Sequence, residues 1–165
     1  MRRKITIPLT TTASAHAAED VIFLPTEVKN AASRIEGDVR IISASLISKG
    51  DKCPSVDLVF TEKGDGTLAN LSVGEGIATG GTALRSTLLT NQICGILTLD
   101  EVTDGNTGAL GSTYVSTKSN VDLVLSTSLK TAEYPNPTSF HVFGVTKTAV
   151  TTTAVDDFTL ILDIE

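Results

Sequence analysis

Val56-Asp57-Leu58-Val59-Phe60, echoed later by Val121-Asp122-Leu123-Val124-Leu125, decides the fold class. In each pentad every second residue is large and apolar: Val56, Leu58 and Phe60 in the first, Val121, Leu123 and Leu125 in the second, with Asp57 and Asp122 between them. Successive side chains of an extended chain point to opposite faces, so both pentads read as β-strands with one face that must be buried. Val59 and Val124 fall on the outward face beside the aspartates. That face is therefore mixed, and some cover over it is expected from a loop, a second sheet or a neighbouring subunit.

The same alternation recurs along the chain. It runs from Lys4 to Leu9, Asp20 to Leu24, Asp38 to Ser48, Ser55 to Thr61, Ile96 to Asp100, Thr113 to Thr117, Asn120 to Thr127, Ser139 to Lys147 and Asp157 to Ile164. In the last of these, Phe158, Leu160, Leu162 and Ile164 share one face, with Ile161 the exception on the other. The run from Asp38 changes phase: Val39 and Ile41 alternate with Arg40, then Ile42, Ala44 and Leu46 alternate with Ser43 and Ser45. A β-bulge, or a bend that carries the strand between two sheets, accounts for such a shift. Short strands separated by Gly, Pro, Asn and Asp predict an all-β chain, an antiparallel β-sandwich or jelly roll of about eight to ten strands. One short helix over 83–93 stays open as an alternative, from the spacing of Leu84, Leu88 and Leu89 after Thr82. The pentad echo does not extend into its flanks, which argues against an internal duplication.

With 165 residues the chain has the length of a single domain, 1–165, with residues 1–18 expected as a flexible N-terminal segment that could serve as a contact arm. Trp is absent and aromatic residues are few, so a core of Ile, Leu and Val is expected. The formal charge of −6 argues against nucleic-acid binding, because Arg2-Arg3-Lys4 is the only basic cluster and reads as a solubilising end. Those residues are followed by Ile5-Thr6-Ile7-Pro8-Leu9 and then threonines, too short an apolar run for a signal peptide, and no membrane-spanning run follows. Cys53 and Cys94 are the only thiols and are expected to be reduced.

Chemistry-bearing motifs are absent. His16 and His141 lack a ligand-spaced companion, so no metal site, no cofactor and no catalytic residue is predicted. Asp104-Gly105-Asn106-Thr107-Gly108 departs from a calcium loop at Ala109 and Val115, and Gly74-Glu75-Gly76 with Gly80-Gly81 lacks the Lys-Ser/Thr of a phosphate loop. There is no Gly-x-Ser-x-Gly, and Asp156-Asp157 would point to opposite faces, with Asp157 as a solvated strand-edge charge. Tyr134-Pro135-Asn136-Pro137 reads as a rigid turn. The long connections Glu62 to Gly81 and Asp100 to Ser112 are the first candidates for contact surfaces.

In order along the chain, Glu19-Asp20-Val21-Ile22-Phe23, Asn30-Ala31-Ala32-Ser33-Arg34, Ser43-Ala44-Ser45-Leu46-Ile47, Val56 to Phe60 and Thr117-Lys118-Ser119-Asn120-Val121-Asp122-Leu123-Val124 resemble small β-rich virion proteins of tailed bacteriophages. The likeness extends from Asp20 to the C-terminus, with a longer loop at Gly64 to Gly81. It implies a structural protein rather than an enzyme: a capsid decoration or cement protein on the outer surface of the major capsid protein lattice, made in the host cytoplasm and carried on the capsid exterior. A homotrimer is the implied assembly, with termini and glycine-rich loops in contact with the shell and no nucleic acid or membrane as partner. The alternative is a receptor- or glycan-binding module of a tail or fibre, for which Tyr114, Tyr134 and Phe143 would supply an aromatic groove.

Overall fold

The computed structural model describes residues 2–33, 37–50, 52–62, 73–74, 93–103, 113–127, 138–155 and 157–165. Eleven strands follow one another: β1 (Arg3–Leu9), β2 (Ala15–His16), β3 (Val21–Val28), β4 (Asp38–Ser48), β5 (Val56–Thr61), β6 (Ile93–Leu99), β7 (Tyr114–Lys118), β8 (Leu123–Ser126), β9 (Phe140–Thr146), β10 (Val150–Thr151) and β11 (Phe158–Ile164). No helix occurs among the described residues. The helix weighed over 83–93 falls on residues 83–92, outside the described set, and Ile93 is already extended as the first residue of β6.

Two antiparallel sheets make a sandwich. A five-stranded sheet has the order β1-β11-β4, with β7 and β8 both along the far side of β4; a four-stranded sheet has the order β3-β9-β5-β6; β2 and β10 pair by themselves. The two pentads lie in opposite sheets, Val56–Thr61 in the four-stranded one and Leu123–Ser126 in the five-stranded one. Residues 2–18, expected within a flexible arm, carry β1 and β2. Ile5, Ile7 and Leu9 alternate inward, β1 pairs along its whole length with β11, and Ala15–His16 pairs with β10. Burying those aliphatic side chains outweighs the freedom of the terminus.

The phase change in β4 is a bulge. Asp163 of β11 pairs with Ser43 but the next residue, Ile164, pairs with Ile41, so Ile42 is the extra residue. Its carbonyl accepts a hydrogen bond from the Val121 amide at 2.9 Å, at the break between β7 and β8, where Asn120 takes the left-handed conformation (φ 55°) that Asn tolerates. The bulge lets Val39, Ile41, Ala44 and Leu46 all face inward, and β4 stays in one sheet rather than bending into the other.

Between the sheets the core holds Leu46, Leu58, Leu99, Leu160 and Leu162, and it is more aromatic than the composition suggests. Phe23, Phe60, Phe140 and Phe158 belong to it, and Phe143, the remaining Phe of the chain, is also fully buried though on the outer side of β9. Phe60 and Phe140 meet edge to face with centroids 5.8 Å apart, and Phe23 of one sheet reaches Phe158 of the other at 6.4 Å. Phe buries more surface than any aliphatic residue, so a few of them dominate a small core.

The outer faces of the two sheets differ. On the four-stranded sheet Val59, Thr61, His141, Phe143 and Val145 point away from the core yet all are buried, so every residue of β9 is buried. On the five-stranded sheet Lys4, Thr6, Pro8, Val115 and Thr117 are exposed and Ser43, Ser45, Ile47, Thr159 and Ile161 are half-buried. That face is open.

Candidate functional site

On the open face the strand registers lay side chains in rows. Lys4, Asp163 and Ser43 form one row across β1, β11 and β4; Thr6, Ile161, Ser45 and Thr117 form the next and reach β7. Arg2, Arg3, Lys4, Ser43, Ser45, Thr117 and Asp163 line a shallow depression of about 700 Å³. The Arg2 Nε donates to Asp163 Oδ2 at 2.8 Å, and Arg2 Nη2 donates to the same oxygen. This guanidinium holds the Asp163 carboxyl below the usual carboxylate range, against the opposing effect of desolvation, with Lys4 adding to the lowering. Asp163 is 4% exposed, and its second oxygen, Oδ1, has no hydrogen-bond partner. Arg3 turns away and donates to the carbonyls of Asn30 and Ala31, while the Ser45 and Thr117 hydroxyls bond each other at 2.9 Å. The basic cluster expected as a solubilising end is therefore built into the sheet.

A second surface lies along the edge where β6 of one sheet packs over β8 of the other. A Cβ placed on Gly95 would sit 2.9 Å from methyl groups of Leu123 and Leu125, so only glycine allows this approach. Among the described residues the exposed large apolar side chains are Ile93, Ile96, Val115, Val124 and Val155, and all but Val155 belong to β6, β7 and β8. Along the same edge run the ion pairs Arg40–Asp122 and Lys118–Asp100. Val59 and Val124, equivalent in the two pentads, part company here: Val59 is 6% exposed and Val124 55%.

The residues singled out by sequence are scattered. His16 is buried on β2, its Nε2 3.0 Å from the Thr152 hydroxyl. The Thr152 proton goes to the Thr12 or Ser14 carbonyl, so Nε2 of His16 is the donor in that contact. His141 lies on β9 between Glu27 of β3 and Thr61 of β5 in register, and is buried. Cys53 and Cys94 are free, not bridged; burial pushes the Cys53 thiol up to about 11 and the Cys94 thiol to about 12. No group of three or more His, Cys, Asp or Glu among the described residues is placed to hold a metal ion. Phe143 is fully buried and so cannot line the expected groove; Tyr114 is half-buried against the core, and Tyr134, Pro135 and Pro137 lie outside the described residues.

Asp157 also departs from expectation. It is buried, not solvated, because its carboxylate accepts from the Ala154 amide at 3.0 Å, the Thr153 hydroxyl at 3.1 Å and the Thr153 amide, which caps the turn before β11. Asp156 lies outside the described residues, as do 104–110 and most of the two long loops. Gly74 is described: its φ of 86° suits glycine, and its amide donates to the Val21 carbonyl at 2.8 Å. Sequence reasoning missed Asp163, Lys4 and Ser43 as a group. The signal was present only as an outward Asp in the final strand, since register across three strands is not readable from one segment. No family model matches the chain, and comparison with curated proteins finds no match.

Proposed function

We propose that the chain is a structural component of a bacteriophage virion, a capsid decoration or cement protein that attaches to the lattice of the major capsid protein as an oligomer, with a trimer as the assembly. The observation that carries this reading is a set of uncovered apolar side chains: Ile93 and Ile96 on the outside of β6, and Val115 and Val124 on the outside of β7 and β8, stay exposed in an otherwise well-buried sandwich. Exposed large apolar side chains near the end of a sandwich favour a protein partner, and repetition over a lattice multiplies individually weak contacts. A scaffold whose thiols, buried Cys53 and half-buried Cys94, are both raised well above neutral pH suits a protein that binds and persists rather than one that turns over substrate. The sequence resemblance supplies the virion setting; the fold is compatible with it and does not by itself select it.

The test is co-sedimentation of the purified chain with capsids that lack it, alongside an Ile96→Asp/Val124→Asp variant. Both positions are more than half exposed, so the variant should fold with stability within about 0.5 kcal/mol of the parent. The reading expects the parent to pellet with capsids and the variant to stay in the supernatant. Equal pelleting of both, or of neither, would remove these side chains from the account.

A further inference from the structure

We propose that the depression on the open face of the five-stranded sheet binds an uncharged carbohydrate, recognised by Lys4, Asp163 and Ser43. Three unused polar groups stand in one row there. Lys4 is exposed and, among the described residues, its ammonium makes no hydrogen bond or ion pair; the Ser43 hydroxyl has no partner among them either; Asp163 Oδ1 is buried and accepts nothing. A buried carboxylate oxygen without a donor is costly, and few such atoms persist without a purpose. Neighbouring strands lie about 4.8 Å apart, so the row spans about 10 Å, the reach of one or two sugar rings.

The chemistry selects the ligand class. Adjacent hydroxyls on a sugar both donate and accept: one can donate to Asp163 Oδ1 while its neighbour accepts from the Lys4 ammonium, and Ser43 can do either. Ser45 and Thr117 offer two further hydroxyls in the next row, and half-buried Ile161 between them offers a patch for the apolar face of a ring. The lining carries Arg2, Arg3 and Lys4 against Asp163, which makes an anion the competing ligand; Arg2 is engaged by Asp163 and Arg3 by the carbonyls of Asn30 and Ala31, which leaves Lys4 and the hydroxyls to face a ligand. Reaching Oδ1 requires a flanking side chain to shift, and exposed Lys4, which attracts Asp163 across the strand pair without a hydrogen bond to it, is the side chain with room to move.

Val115 stands on the same open face, two residues from Thr117, but glycan titration of the free chain does not depend on attachment to a capsid, so the site and the lattice reading succeed or fail separately. The experiment is a titration of the whole chain by calorimetry and saturation-transfer NMR with methyl glycosides of hexoses and N-acetylhexosamines and short oligosaccharides of each. Saturable binding in the millimolar range is expected, weakened about tenfold or more by Lys4→Met and by Ser43→Ala, a change of about 1.4 kcal/mol. Thr159→Ala, on the same face but in the row beyond, should leave it unchanged. Circular dichroism checks that each variant is folded. Absence of saturable binding to every uncharged glycan would overturn the proposal, as would affinity untouched by both variants, or binding confined to sulfated sugars and inorganic phosphate.

Discussion

Gly144 of β9 faces the core directly beneath Phe23, and replacing it with alanine is the sharpest test of how the sheets are packed. A Cβ at Gly144 would lie 2.2 Å from Cζ, 2.3 Å from Cε1 and 2.8 Å from Cε2 of the Phe23 ring. Carbon atoms in contact sit about 3.5–4.0 Å apart, so the ring must retreat by more than about 1 Å. It has little room to do so, because Phe23 is fully buried and packs against Phe158 of the facing sheet. The backbone is not the obstacle: Gly144 is not in the left-handed region, and alanine there would ordinarily stabilise by stiffening the unfolded chain. Overpacking costs of about 1–3 kcal/mol, set against that small gain, leave a net loss of about 2 kcal/mol and lower Tm by about 4–8 °C. Phe23→Leu removes the three clashing ring atoms and by itself costs about 1–2 kcal/mol through lost burial. The double variant should then lose less than the sum of the single losses, by about 1 kcal/mol or more. Urea unfolding followed by far-UV circular dichroism measures all three, since the chain has no Trp to report by fluorescence. A Gly144→Ala variant within 0.5 kcal/mol of the parent, or strict additivity in the double variant, would refute this packing.

Asp157→Ala removes the acceptor that caps the turn at Thr153 and Ala154 and should destabilise by about 1–3 kcal/mol in the same urea assay, with Asn restoring part of the loss. Arg2→Met should show a pH signature. The Asp163 carboxyl is held low in the folded chain, so Arg2 contributes stability above the unfolded carboxyl's pKa, about pH 4, and that contribution disappears as pH falls through the folded value. The parent should therefore exceed the variant at neutral pH and converge with it in acid; a gap that widens on acidification would reverse the assignment. Cys53 and Cys94, raised to about 11 and 12 by burial, should react slowly with a thiol reagent at pH 8 and quickly once unfolded, as followed by mass spectrometry. Rapid labelling of the native chain at Cys53 would contradict its place in the core.

Much of the architecture was legible because strand alternation is local. The phase change in β4 could be read from Ile41, Ile42 and Ala44 alone, though a bulge and a bend between sheets were told apart only by the register with β11, and the β11 face could be read from Phe158 to Ile164. What failed depended on contacts between segments. The two pentads look alike, yet Val59 is covered and Val124 open, because one belongs to the inner strand β5, between β9 and β6, and the other to the edge strand β8. The two-residue strands Ala15–His16 and Val150–Thr151 carry no periodicity to detect. Asp157 resembled any polar residue at a strand end, and its burial follows from a turn that folds back on it. The aromatic content, taken as low weight in the core, concealed that every Phe is buried. Lys4, Asp163 and Ser43 lie far apart in sequence and meet only through the register of β1, β11 and β4.

Under the proposed function, this sandwich would sit on the virion surface and attach through the exposed apolar side chains of β6, β7 and β8. A cryo-EM reconstruction of the intact particle tests it most directly. The account predicts density for the chain on the outside of the capsid shell, in three-fold clusters, with Ile96 and Val124 at the contact with the shell or between subunits. Density confined to the tail tip, or a capsid-bound chain with those side chains facing solvent, would contradict it.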